Sequence, residues 1–297
     1  MSGFSPEWLD LREAADHQAR DSALEQQLAT HFAARTHVSV VDLGCGSGSN
    51  LRGTAQFLPD HQSWQLVDYD PQLLTWARER LVDWADDSRS EGALLRLRKD
   101  HKRIDVSFAE ADLTLELTQV LAPAPDLVTA AALFDLVSEP WLELFTDALS
   151  AAGLPLYTVL SYDGRQEWQP IHPQDGRVLR AFNSHQQRDK GFGSATGPRA
   201  SAVLGGLLAA RGYAVHTASS PWLLGPEDSG LQRELATGIA AAALETKDVA
   251  PDEVADWLAA RRKPGRATIG HSDIFATPGE PAEQRGSGKG GTPPMAV

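Results

Sequence analysis

The run Val40-Val41-Asp42-Leu43-Gly44-Cys45-Gly46-Ser47-Gly48-Ser49-Asn50 constrains this chain more than any other segment. A β-branched strand ends on an acidic residue, glycine then stands at every second position, and a polar helix start follows. Glycines at such a turn let the backbone bend sharply and approach a ligand without interference from Cβ. A helix beginning near Ser49 would turn its free N–H groups toward something polar or anionic.

Two nucleotide loops compete with any other reading of this turn. The dinucleotide fingerprint needs G-x-G-x-x-G, and Ser49 stands where its last glycine should be. A phosphate-cradling P-loop needs Gly-Lys-Ser/Thr, which is absent. The spacing Asp42-x-Gly44-x-Gly46-x-Gly48 instead resembles the first motif of class I S-adenosylmethionine-dependent methyltransferases. In that family the turn passes beside the methionine part of the cofactor. The resemblance implies cofactor contacts at Asp42, Gly44, Cys45, Gly46, Gly48 and Asn50.

Three later positions extend the resemblance. In Leu66-Val67-Asp68-Tyr69-Asp70-Pro71 a strand ends in a carboxylate 20 residues after Gly48. That matches the family's ribose-binding acid at Asp68, with Tyr69 beside it, although without the glycine turn Asp68 would be an ordinary strand-end residue. Asp70 before Pro71 reads as a helix N-cap. Ala109-Glu110-Ala111-Asp112-Leu113 resembles the family's adenine-binding element, with Asp112 for the amino group and the Leu113 N–H for a ring nitrogen. A loop aspartate is its plainer explanation. After the fourth strand, Ala130 and Ala131 are small enough for a sulfonium to approach. Asp135 there faces an acceptor or caps the next helix.

The chain has 297 residues, enough for one large α/β domain with an insertion. Its formal charge of −13 argues against nucleic acid, which is bound through basic grooves. The basic group Arg96, Arg98, Lys99, Lys102 and Arg103 reads as a solvated hairpin tip. Cys45 is the single cysteine, so no internal disulfide forms, and it reads as a packing residue. The absence of an apolar leader or spanning segment gives a cytoplasmic expectation with no membrane partner.

Strands alternating with helices predict a mostly parallel sheet covered on both faces, with the ligand crevice at the C-terminal strand ends. The expected fold is α/β: a Rossmann-like, seven-stranded, mostly parallel sheet with helices on both faces and an N-terminal helical extension. The antiparallel last strand and the strand order come from the resemblance. Residues 1–36 form the extension, with helix over 5–34, and 37–277 form the methyltransferase domain. Strands are expected at Val38–Leu43, Trp64–Asp68, Ile104–Phe108 (paired with Leu94–Arg98 in a hairpin), Asp126–Ala130, Leu156–Ser161, Tyr213–Thr217 and Ala267–Ala276. Ser88–Glu91 reads as a polar break. Residues 163–195 are too long for a plain connection and read as a substrate-binding insertion or lid. From Pro278 the Gly/Pro/Ser-rich tail reads as disordered.

Trp8, Arg12, Asp16 and Arg20 recur every four residues along one helical stripe. The stripe is a surface salt-bridge ladder, or Arg12 reaches the cofactor carboxylate. In the insertion, Asp175 caps a helix that Gly191 ends, and its inward stripe Val178, Leu179, Phe182 continues through His185, Gln186 and Asp189. A stripe that turns polar suits a substrate pocket, or a helix whose last turns protrude into water. His185 is the expected general base, because imidazole accepts a proton near neutral pH, and Asp189 would orient it. His172 is the second base candidate. Tyr162, Asp163, Asn183 and Lys190 complete the expected acceptor pocket, and His271 with Asp273 reads as structural. A metal is not expected: Asp135 and Asp163 only loosely resemble the magnesium carboxylates of catechol-type methyltransferases, and Gly164 replaces the amide found there.

Together these features imply methyl transfer from S-adenosylmethionine to an O or N atom of a small polar metabolite. S-adenosylmethionine chemistry without methyl transfer, and a non-catalytic cofactor-binding scaffold, are the alternatives. The oligomeric state is left open, a homodimer included.

Overall fold

The computed structural model describes residues 5–279. Two helices come first, α1 (Pro6–Ala19) and α2 (Ser22–Phe32). The single helix expected over 5–34 is broken at Arg20, whose backbone is extended and whose guanidinium is drawn inward to Asn50 and Thr54. Asp21 then caps α2 by accepting from the Leu24 N–H. There follow β1 (His37–Leu43), α3 (Ser49–Thr54), β2 (His61–Asp68), α4 (Pro71–Trp84), β3 (Asp87–Glu91), β4 (Leu94–Lys99), β5 (Lys102–Glu110), α5 (Leu117–Leu121) and β6 (Leu127–Ala131). The chain continues through α6 (Glu139–Ala151), β7 (Leu156–Gln169), α7 (Asp175–Gln186), α8 (Ala200–Ala210), β8 (Tyr213–Ser219) and β9 (Trp222–Leu224). It ends in α9 (Ser229–Thr246), α10 (Pro251–Arg261) and β10 (Arg266–Pro278).

One sheet holds ten strands where seven were expected, in the order β3-β4-β5-β2-β1-β6-β7-β10-β8, with β9 on β10. The five central strands β5, β2, β1, β6 and β7 run parallel. The flanking strands pair antiparallel, β10 lying between β7 and β8. The hairpin arm Leu94–Arg98 joins the same sheet as β4, and the two unanticipated strands, β3 and β9, lie at the margins. Ser88–Glu91, read as a polar break, pairs with β4 as the edge strand β3. Its polarity suits a solvated edge. Pro278, assigned to the tail, is the last residue of β10, and Gly279 follows it; the rest of the expected disordered tail lies outside the described residues.

Side chains of β1 alternate between two cores. Val38 and Val40 pack with Leu24, Leu28 and Phe32 of α2 and Leu74, Ala77 and Leu81 of α4. Val41 and Leu43 face Phe145 of α6 and Leu204 of α8 on the other side. A strand buried on both faces reads as the continuous apolar run seen in the sequence. A third cluster lies where β7 and β10 run on together, joining Tyr162 and Trp168 to α7, α9 and Trp257 of α10. Thus the first part of residues 163–195 is not lid but strand, since β7 continues to Gln169. Asp175 opens α7 without capping it. Its carboxylate accepts from the His172 N–H and the Trp257 indole and pairs with Arg261, which ties α7 to α10. The helix ends at Gln186, not at Gly191.

Candidate functional site

β1 and β6 are neighbours from which the chain departs in opposite directions, to β2 on one side and β7 on the other. Crevices in open α/β sheets lie at the C-terminal ends of strands around such a switch point. A cavity of about 680 Å³ opens there. Its floor comes from Gly44 and Gly46 after β1, Asp68 and Tyr69 at the end of β2, Ala111 to Thr114 after β5, and Ala131 to Leu133 at the end of β6. Leu9 and Arg12 of α1 form one wall, and residues 188–192 with His185 and Glu245 form the mouth.

Gly44, Gly46 and Gly48 all have positive φ, at 63°, 52° and 72°. At Gly46 a Cβ would stand 3.1 Å from Leu9 Cδ1, so the bare backbone is what lets α1 close over the turn. Gly46 N–H also donates to Asp68 at 2.9 Å, joining the β1 turn to the end of β2. The other Asp68 oxygen accepts from the Asp70 N–H at 3.1 Å. Burial raises this carboxyl above its ordinary range, and the two N–H groups oppose that rise. Each oxygen keeps a lone pair for a further donor.

Asp112 projects from the β5 end, where it accepts from Thr114 N–H at 2.8 Å and from its hydroxyl at 2.6 Å. Leu113 beside it is buried, its carbonyl accepting the Trp141 indole at 2.9 Å. Arg12 is clamped by Asp16 through two hydrogen bonds of 2.8 and 3.1 Å. Trp222 completes the clamp: its indole donates to Asp16 at 3.0 Å while its ring lies 5.1 Å beneath the Arg12 guanidinium. The stripe is therefore not a surface ladder, because Arg12 turns into the cavity and Arg20 into the core.

Several expected cofactor residues lie under the floor. Asp42 is fully buried and accepts from Asn50 Nδ2 at 2.7 Å, and the same Nδ2 donates to Thr129 Oγ1 at 3.0 Å. Burial pushes its carboxyl up to about 7. Asp42 and Asn50 thus pin the strand end to the start of α3. Cys45 is buried, its thiol raised well above the usual value, which keeps it protonated and inert. Gly48 packs toward Ala77 and Leu66, and Ala130 is buried beneath Ala131, which does line the cavity.

The acceptor-side expectations divide similarly. His185, Asp189 and Lys190 reach the mouth. Asp189 does not orient His185; its carboxylate accepts from the Gly191 and Gly193 N–H groups at 2.7 and 3.0 Å and shapes the loop. Glu245 of α9 takes that place, 3.0 Å from His185 Nε2. Lys190 Nζ lies 3.3 Å from His185 Nδ1. An ammonium only donates, so Nδ1 accepts and Nε2–H donates to Glu245. Tyr162 donates to Asn183 at 2.8 Å and accepts from Gln166 at 2.9 Å, so Tyr162 and Asn183 satisfy each other behind the wall. Asp163 pairs with Arg165. His172 is drawn away to Asp256 at 3.2 Å and caps the loop before α7. Asp135 does not cap α6, because Ser138 does. Instead it is buried beside the cavity, between Leu133 and Leu136. Asp273 accepts from Asp21 N–H, Leu160 N–H and Ser220, a structural junction, and His271 is buried against Trp222.

No protein-family model and no curated protein matches the chain. Among solved structures, a cyclopropane-fatty-acyl-phospholipid synthase-like protein from Lactobacillus casei is 16% identical, with a TM-score of 0.53 over 91% of this chain and 97% of that one. The YcgJ protein of Bacillus subtilis is 13% identical, with a TM-score of 0.50 over 88% and 100%. A SAM-dependent methyltransferase from Geobacter sulfurreducens, solved with S-adenosyl-L-homocysteine, is 14% identical, with a TM-score of 0.43 over 92% and 98%. The first two of these likenesses show the fold, a mixed α/β, Rossmann-like architecture with parallel central strands. Among the lining residues that the sequence reading did not single out, Leu9, Ala132 and Glu245 come from three separate segments. None carries a local motif that marks it in the sequence.

Proposed function

We propose that this chain is an S-adenosylmethionine-dependent methyltransferase acting on an O or N atom of a small polar metabolite. The observation that carries the reading is the bond from Gly46 N–H to Asp68 at the cavity floor. It joins a glycine turn that a Cβ would fill to a carboxylate with acceptor capacity left for two ribose hydroxyls. The donor and acceptor set fits the cofactor: Asp68 for the ribose, Asp112 and the Leu113 N–H for the base, and the clamped Arg12 for the carboxylate. A cavity of about 680 Å³ is large enough for such a ligand and a small acceptor.

When bound, S-adenosylmethionine supplies an electrophilic methyl group on a sulfonium. The chain's own contribution is mainly positioning, with the acceptor held near attack distance and water kept out. Ala131 and Ala132 leave room at the β6 end, and Phe192, edge-on to Trp141, closes the mouth. His185 stands there as the candidate base. It can take an acceptor proton at Nδ1 once Lys190 moves aside. That His185 and residues 188–192 line the cavity supports an acceptor-handling enzyme over a scaffold.

Asp68→Ala tests the reading by isothermal titration. The wild type is expected to bind S-adenosylmethionine. The variant should bind about a hundredfold more weakly, from the loss of hydrogen bonds to a charged group. Unchanged affinity removes the ribose role, and binding of NAD without S-adenosylmethionine overturns the whole reading.

A further inference from the structure

Two opposite charges in and against the cavity wall have no ion-pair partner among the described residues. Asp135 is 8% exposed, and its Oδ1 is buried without a hydrogen-bond partner. Leu133 and Leu136 on either side of it line the cavity. Lys190 lines the same cavity, and its ammonium has one polar contact, His185 Nδ1 at 3.3 Å, so two of its three donors are uncommitted. The two groups lie beyond ion-pair distance of each other, yet each acts on the other. Burial pushes Asp135 up to about 6, opposed by the backbone N–H groups of Asp135 and Tyr162 and by the positive charges of Arg12 and Lys190; desolvation lowers Lys190, opposed first by Glu245 and then by Asp135. Neighbouring groups are engaged elsewhere: Arg12, held by Asp16, is the group assigned to the cofactor carboxylate, and the Tyr162 hydroxyl is occupied by Asn183 and Gln166.

A buried carboxyl with a free oxygen is costly unless something pairs with it. A purely cationic guest would meet Asp135 but be repelled by Lys190. A purely anionic guest would meet the reverse. Only a guest carrying both charges satisfies both ends at once.

On the methyltransferase reading above, we infer that the acceptor is a small zwitterion bearing an amine and a carboxylate, its amine on Asp135 and its carboxylate on Lys190. The span between the two groups selects for length, and the apolar Leu133 and Leu136 accept the carbon chain between the charged ends.

The test is calorimetric titration of the full chain, first with S-adenosyl-L-homocysteine and then, on the loaded protein, with glycine, β-alanine and γ-aminobutyrate. The single-charge controls are n-propylamine and propionate. At least one zwitterion is expected to bind about tenfold or more tightly than either control, each lacking one charged contact. Lys190→Met and Asp135→Asn should each weaken it by about the same factor and leave S-adenosyl-L-homocysteine affinity unchanged. Lys190 is partly exposed, so Lys190→Met keeps the test alive should Asp135→Asn fail to fold. Zwitterions that bind no better than the controls, or equally to both variants, overturn the inference while the first titration still stands. Failure of that first titration overturns the cofactor reading instead.

Discussion

Asp42 shows what a buried carboxyl does at a turn of this kind. It sits with no exposure under the glycines, held by Asn50 Nδ2, and one of its oxygens has no partner. With its carboxyl raised to about 7 in the folded chain, the native state keeps a proton that the unfolded chain releases in the ordinary carboxylate range. The native state therefore binds more protons across that window. Its stability falls as pH rises from the ordinary range to about 7, and then levels off. Asp42→Asn keeps an acceptor for Asn50 and removes the titration. Urea melts of both proteins at pH 5 and pH 8 should show a smaller loss of stability in the variant, those pH values bracketing most of the window set by desolvation. Glu25, also raised to about 7 by burial, titrates in both proteins and cancels in the difference. An equal loss in both would mean that Asp42 is ionised throughout. Residues of this kind were only half legible in the sequence. The spacing of Asp42, Asp68 and Asp112 placed all three at strand ends. Which of them faces a ligand depends on packing above and below the sheet, which a motif does not carry.

Between elements, the contact that matters most for the site is α1 lying on the glycine turn. Leu9 Cδ1 is 3.1 Å from where a Gly46 Cβ would stand, and φ at Gly46 is +52°. Gly46→Ala adds backbone strain of about 1–3 kcal/mol and crowds the Leu9 side chain by which α1, the helix that carries Arg12, rests on the turn. The expected result is a lower urea midpoint together with weaker S-adenosylmethionine binding. Gly206 in α8 is the matched control, with negative φ and nothing within 4 Å of a Cβ. There alanine should stabilise by about 0.5–1 kcal/mol, because glycine loses more backbone freedom on folding. If both variants behave alike, α1 does not rest on the turn. Element order was readable over most of the chain, because apolar runs and helix caps recur in sequence. The length of β7 was not. Tyr162-Asp-Gly-Arg-Gln-Glu reads as a loop, and it is strand only because β10 pairs with Tyr162 and, past an irregularity at residues 163–165, again with Gln166 to Gln169. Pairing across about a hundred residues overrides local preference. The partner of His185 was hidden for the same reason: Glu245 lies 60 residues away on another helix.

At the scale of the whole molecule, the cavity is built from nearly the full length of the chain. Leu9 stands near its start, the strand ends at Gly46, Asp68, Asp112 and Ala131 form its floor, and Glu245 lies on α9. An unfolded chain keeps none of these groups together, so a ligand of this cavity binds the native state alone. Its binding must then appear as global stability and not as local order. S-adenosyl-L-homocysteine at about 100 times its dissociation constant should add about 2.7 kcal/mol, which raises the melting midpoint by several degrees. The same concentration given to Asp68→Ala, with affinity lowered about a hundredfold, should add only about 0.4 kcal/mol. The two melts therefore separate by an amount that calorimetry alone can fix beforehand. A wild-type midpoint that fails to rise, in a protein whose titration shows binding, would mean that the binding elements melt apart from the rest. The cavity would then belong to a local unit rather than to one cooperative fold.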